Sequence, residues 1–212
     1  DPLAQIDLLA DLGFAGAADN FLTLRPARIQ AAIGEALARH GLEMGSFVHD
    51  PAHWNRPTWS APDREALGAA LAVSLEAAAR SGSRTLNCIT GLDPARDRAA
   101  QIACMADNLA WAGDRAAAYG VVLCVEATHP AFAPSLLIER VAEAMHLVER
   151  VDHPHVRLNL DIGHIAMHGD DVEAAIRAGA GTGRIGMVQA ADVPGRIDPG
   201  AGRLDWPAIL AA

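Results

Sequence analysis

Residues 156–164 read VRLNLDIGH. Val156, Leu158 and Leu160 alternate with Arg157, Asn159 and Asp161, which is the period of a β-strand, whose side chains point to opposite faces in turn. The apolar face is suited to packing on helices. The other face is polar and ends on a carboxylate, and His164 follows a glycine where the chain leaves the strand. Such an ending has two readings. Asp161 caps the next helix, or it belongs to a reactive centre at the carboxyl end of a parallel strand.

The same unit recurs on both sides. Gly13 precedes FAGAAD, Gly41 precedes LEMGSFVH, Gly82 precedes SRTLNCIT, Gly120 precedes VVLCVEA, and IGMVQAAD occupies 185–192. Glycine just past a helix takes the left-handed conformation without a Cβ penalty. The six strands start roughly 30–40 residues apart, the length of one β–loop–α unit. Between them lie amphipathic helices. Over 63–80, Leu67, Leu71, Leu75 and Ala78 form one apolar stripe; over 101–119, Ile102, Met105, Leu109 and Ala112 do the same. Ser60, Pro62 and Asp63 supply an amino-terminal cap for the first of these.

Alternating β and α predicts a parallel sheet covered by helices, either doubly wound or closed as a (β/α)8 TIM barrel. The glycines of GAGTGRIG (179–186) precede a strand, whereas a dinucleotide-binding loop follows one, so they are expected to form a plain αβ loop. The barrel is the better fit. Six strands imply that the first and eighth lie outside 1–212, so the chain is expected to be a single barrel domain truncated at both ends.

Composition agrees with a well-packed domain. The 212 residues are 51% hydrophobic, and the mean hydropathy is +0.14. No stretch approaches the ~20 apolar residues of a membrane span. The net charge of −9 and the absence of a Lys/Arg cluster argue against a nucleic-acid partner. A small-molecule substrate is expected, with no membrane partner; a homo-oligomer is compatible with the composition. Cys88, Cys104 and Cys124 show no CxxC spacing, and two of them lie in apolar runs, which predicts buried thiols in a reducing, cytoplasmic setting.

In a barrel the chemistry sits at the carboxyl ends of the strands. The polar residues there are His49, Asn87, Glu126, Asp161, His164, Gln189 and Asp192. Glu126 ends an apolar strand and is costly there unless paired, hydrogen-bonded or metal-bound. Gln189 reads as a core amide bonded to backbone, or as a carbonyl ligand that with Glu126 and Asp161 makes an oxygen-rich site for Mg²⁺ or Mn²⁺. His53, Trp54, Arg56 and Trp59 lie in a long loop that either covers the site or lies on the surface. His153 and His155 precede a strand, at the wrong end for chemistry, and His146 is expected to face solvent.

The segments VEATHP, LNLDIGH and VQAADVPGRIDPGAG resemble the hydroxypyruvate isomerase family of xylose-isomerase-like TIM barrels. That family carries Gln-x-Ala-Asp-x-Pro-Gly-Arg on its seventh strand, matched here by Gln189 to Arg196. The resemblance implies a divalent metal held by Glu126, Asp161 and Gln189, with a fourth ligand from a glutamate on an eighth strand. It implies Glu126 as an acid/base group, and His164 and Arg196 as substrate contacts. Two departures stand out: Arg203 where many members have Glu, and Met187 where many have His. The implied reaction is isomerisation or epimerisation of a small hydroxy-carbonyl compound through an enediolate. The alternatives are a dehydratase or lyase on the same metal site, a non-catalytic sugar-binding barrel, and an apurinic endonuclease relative, against which the charge and Gln189 argue.

Overall fold

The computed structural model describes residues 1–212. Strand β6 (Val156–Asp161) forms where the alternation places it, between parallel neighbours β5 (Val122–Glu126) and β7 (Ile185–Gln189). Ahead of them come β4 (Thr85–Cys88), β3 (Phe47–Val48), β2 (Glu43–Met44) and β1 (Gly16–Ala17). The ladders run β1–β2 and β3–β4–β5–β6–β7, and every pair is parallel. Strands β2 and β3 are halves of one expected strand, LEMGSFVH, broken at Gly45–Ser46. The first half pairs with β1 and the second with β4. At the break Gly45 N–H donates to Ala17 O at 2.6 Å, and a Cβ on Gly45 would sit 3.2 Å from that oxygen. The strands thus lie side by side in chain order. A doubly wound sheet must reverse its order at a switch point, whereas a singly wound barrel never does.

The helices cover the outside: α1 (Pro2–Asp11), α2 (Ala27–His40), α3 (Arg64–Ser81), α4 (Arg98–Ala117), α5 (Val141–Val151), α6 (Ile162–Met167), α7 (Val172–Thr182) and α8 (Trp206–Ala211). Val156, Leu158 and Leu160 join Leu109 and Ala112 of α4 and Ala144 and Leu147 of α5 in one buried cluster. Each fully buried leucine there contributes about 1.5–3 kcal/mol relative to an exposed one. No helix is long and apolar enough to cross a membrane.

The structure corrects several local expectations. Helix α3 is capped by Asp63, which accepts from Ala66 N–H at 3.0 Å, while the Ser60 hydroxyl donates to Pro57 O. Helix α4 begins earlier than the apolar stripe suggests, because Asp97 caps it through Ala100 N–H at 2.8 Å. Most of GAGTGRIG is not loop. Gly179 and Gly181 lie in the last turns of α7, and Gly183 ends it at φ +64°. A Cβ on Gly179 would meet Ile185 Cδ1 at 2.8 Å, so this glycine lets helix and strand approach. Trp59 does not lie on the surface. It is fully buried, with its ring 4.8 Å from that of His49.

Candidate active site

The polar face of β6 looks into the barrel. Asn159 Nδ2 donates to Asn87 Oδ1 at 3.3 Å and to Gln189 Oε1 at 3.0 Å, linking β4, β6 and β7. Asn87 Nδ2 in turn donates to Glu126 Oε2. Strand register makes this chain of amides possible, since Asn87 lies beside Cys124, Glu126 beside Asn159, and Asp161 beside Gln189. A buried carboxylate held by an amide is thereby oriented and partly compensated for lost water.

Above this layer Glu126, Asp161 and His164 converge. Each is buried, and one ligand atom from each lies within 4.8 Å of the others. His164 Nε2 is 3.6 Å from Glu126 Oε1. The two oxygens of Asp161 divide its tasks. Oδ1 accepts from His164 N–H at 3.0 Å and caps α6. Oδ2 is buried and makes no hydrogen bond, although Arg196 Nη1 lies 2.6 Å from it. That contact is close enough for charge pairing but not directed along an N–H. The capping reading of the strand ending therefore holds for Oδ1, while Oδ2 faces Arg196.

Arg196 arrives from the β7 loop. Its Nη1 also lies 2.6 Å from His164 Nε2, and its guanidinium stands 5.6 Å from the Phe132 ring centre. Phe132 meets the His164 ring edge-on at 5.6 Å, and His129 N–H approaches His164 Nδ1 at 3.4 Å. His129 and Phe132 were not singled out from sequence. Their signal was position, in the loop directly after Glu126, where barrel enzymes place site residues.

Burial dominates the electrostatics. It pushes the Glu126 carboxyl up to about 7, reinforced by Asp161 and opposed by the Asn87 hydrogen bond and by Arg196. Burial also brings the His164 imidazole down to about 4, with Asp161 opposing and Arg196 reinforcing. The His164–Glu126 contact is therefore not an ion pair at neutral pH. The two acidic oxygens, one of them without a hydrogen bond, are donors suited to a divalent cation, and the neutral imidazole nitrogen beside them is free to meet a substrate oxygen. With bonds of about 2.0–2.2 Å, donors span at most about 4.4 Å, so side-chain shifts of a few tenths of an ångström bring the widest pair within reach.

The remaining candidates lie elsewhere. His49 is buried on Ser74 Oγ at 3.0 Å. Asp192 is fully buried, but its carboxylate is surrounded by loop N–H groups. Arg203 gives its backbone N–H to Asp192 and leaves its side chain exposed. His153 bonds Asp114 and His155 bonds Val121 O, remote from the cluster in the fold; His146 is exposed.

Sequential parallel strands with an acidic cluster at their carboxyl ends define a TIM-barrel enzyme. Over residues 6–212 the chain matches the family described as xylose isomerase-like TIM barrel, and it belongs to that family. It is similar to 2-oxo-tetronate isomerase of Pectobacterium atrosepticum, 28% identical over 99% of this chain and 80% of that protein. It is also similar to hydroxypyruvate isomerase of Escherichia coli, 23% identical over 79% of this chain and 68% of that protein. The crystal structure of an AP endonuclease, family 2, from Brucella melitensis superposes with a TM-score of 0.87 at 28% identity, covering 99% of this chain and 81% of that one. The chain is an isomerase of the xylose isomerase-like family.

Proposed function

We propose that the protein is a divalent-metal-dependent isomerase of small 2-oxo acids bearing a neighbouring hydroxyl, of the hydroxypyruvate or 2-oxo-tetronate type. The observation that carries this reading is the convergence of Glu126, Asp161 and His164 beneath Arg196. The names of the similar isomerases supply the substrate class.

Glu126, Asp161 and the Gln189 carbonyl are the proposed metal ligands, with His164 beside them. When bound, Mg²⁺ or Mn²⁺ supplies Lewis-acid polarisation of the substrate oxygens. Glu126 removes the proton from the hydroxyl-bearing carbon and delivers one to the former carbonyl carbon, while a hydroxyl proton passes between the two oxygens. No net oxidation occurs. In the metal-free protein burial raises the Glu126 carboxyl to about 7; a coordinated cation would favour its ionised form, the form that accepts the proton. Neutral His164 is positioned to hydrogen-bond a substrate oxygen, and Arg196, with its side chain 23% exposed, to meet the substrate carboxylate. The free thiols of Cys88, Cys104 and Cys124 support a cytoplasmic setting.

Glu126→Gln tests the assignment. It is expected to retain the fold by circular dichroism and to lower kcat on hydroxypyruvate or 2-oxo-tetronate by at least about 100-fold; full activity would refute it. Stripping with EDTA is expected to abolish turnover, and Mn²⁺ to restore it. The AP endonuclease neighbour raises a second reading, phosphodiester cleavage at abasic DNA. The net charge of −9 disfavours it, and no cleavage of an abasic duplex is expected in the presence of Mg²⁺, Mn²⁺ or Zn²⁺.

A further inference from the structure

The loop after β7 is built around one carboxylate. Asp192 Oδ1 accepts from Val193 N–H at 2.7 Å, Arg203 N–H at 3.0 Å and Leu204 N–H at 3.1 Å. Its Oδ2 accepts from Gly200 N–H at 3.0 Å and from the Trp206 indole at 2.7 Å. Its backbone closes a small antiparallel bridge, with Asp192 N–H donating to Ile197 O at 2.8 Å and Ile197 N–H returning to Asp192 O at 3.0 Å. Arg196 sits inside that bridge with φ +59°, a conformation that L residues hold only when their surroundings impose it. The packing continues to the site. A Cβ on Gly163 would press on Arg196 Cγ at 3.2 Å and Asp161 Oδ1 at 3.2 Å, and one on Gly202 would collide with the Asp192 carboxylate.

We infer that Asp192 is a positioning residue of the site, acting through Arg196. Its five accepted hydrogen bonds fold residues 193–206 into one unit and hold the Arg196 backbone where its guanidinium reaches Asp161 and His164. A carboxylate is required, because an amide would turn an NH₂ group against at least two N–H donors. This inference rests on the reading of Arg196 as the contact for the substrate carboxylate, and it also predicts an effect that does not depend on that reading.

The test compares Arg196→Ala, Asp192→Asn and Trp206→Phe, with the Asp192→Asn/Arg196→Ala double variant, using hydroxypyruvate with Mn²⁺ and trypsin cleavage at Arg196. Trp206→Phe removes one of the five bonds and keeps a folded comparison if Asp192→Asn does not fold. Arg196→Ala is expected to raise KM about tenfold or more, Asp192→Asn to do likewise with kcat little changed, and the double variant to add nothing further. Trp206→Phe is expected to speed cleavage after Arg196 severalfold while the melting temperature stays near that of the parent. Additive losses in the double variant, or cleavage unchanged in Trp206→Phe, would overturn the inference. An unchanged KM in Arg196→Ala would instead remove the substrate role of Arg196, leaving proteolysis to judge whether Asp192 places the loop.

Discussion

At the residue scale, strand alternation made the barrel interior legible. It assigned Asn159 and Asp161 to the polar face of β6 and Leu158 and Leu160 to the helices, as the structure has them. What it could not give is how polar residues pair across strands. Asn87 and Asn159 matter through each other and through Glu126, and that relation exists only once the register is set. Asn87→Leu keeps the branched shape in a somewhat larger side chain and removes the donor to Glu126. That hydrogen bond favours the ionised carboxyl and orients it, so its loss raises the Glu126 affinity for protons and loosens its aim. We expect kcat to fall by about 10–100-fold with KM nearly unchanged. A kcat equal to that of the parent at pH 7 would show that the amide does not govern Glu126. Asp192 teaches the complementary lesson. Its carboxylate is held well below the usual range because hydrogen bonds from Trp206 and from the backbone of Val193, Leu204 and Gly200 outweigh the opposing effect of burial. A strand-end position alone does not separate such a loop organiser from a reacting group.

At the element scale, helices were legible through periodicity and their starts through capping chemistry, but the choice between neighbouring caps was not. Ser60 and Asp63 both precede α3, and only geometry shows that Asp63 meets Ala66 N–H while Ser60 turns back to Pro57. Asp63→Ala is therefore expected to cost about 1 kcal/mol of unfolding free energy, measured by urea denaturation with an unchanged slope. A loss below about 0.3 kcal/mol would argue that the cap is replaced by water. The break of LEMGSFVH into β2 and β3 and the helical placement of Gly179 share a cause. Ile185 comes too near Gly179 for a Cβ, and the Ala17 carbonyl leaves only a tight fit for one at Gly45. Close approach is a property of two elements together, so a single run of sequence does not display it.

At the scale of the whole molecule, buried titratable groups of opposite tendency set how the metal-free protein responds to acid. His49 lies on Trp59 and Ser74, and burial lowers its affinity to about 4 against the opposing charge of Asp50. Between pH 6.5 and 4 the unfolded chain therefore takes up a proton at this residue that the folded one refuses, and stability falls as pH falls. His164, also buried, acts in the same direction. Glu126 acts oppositely. The folded carboxyl is protonated below about 7, while the unfolded one stays ionised down to about 4.5. Its contribution is thus complete below about 4.5 and is lost as pH rises through 7. Each linked proton changes stability by about 1.4 kcal/mol per pH unit. Between pH 6 and 5 the Glu126 proton offsets one of the two histidines, so the EDTA-treated parent should still lose about 1.4 kcal/mol per pH unit on acidification. Glu126→Gln removes the offset and should steepen the loss by about 1.4 kcal/mol per unit, whereas His49→Gln should make it shallower by a similar amount. Urea unfolding of the three metal-free proteins at pH 6.0, 5.5 and 5.0 measures these slopes directly. Parallel lines for the parent and Glu126→Gln would mean that the folded Glu126 carboxyl titrates like an exposed one.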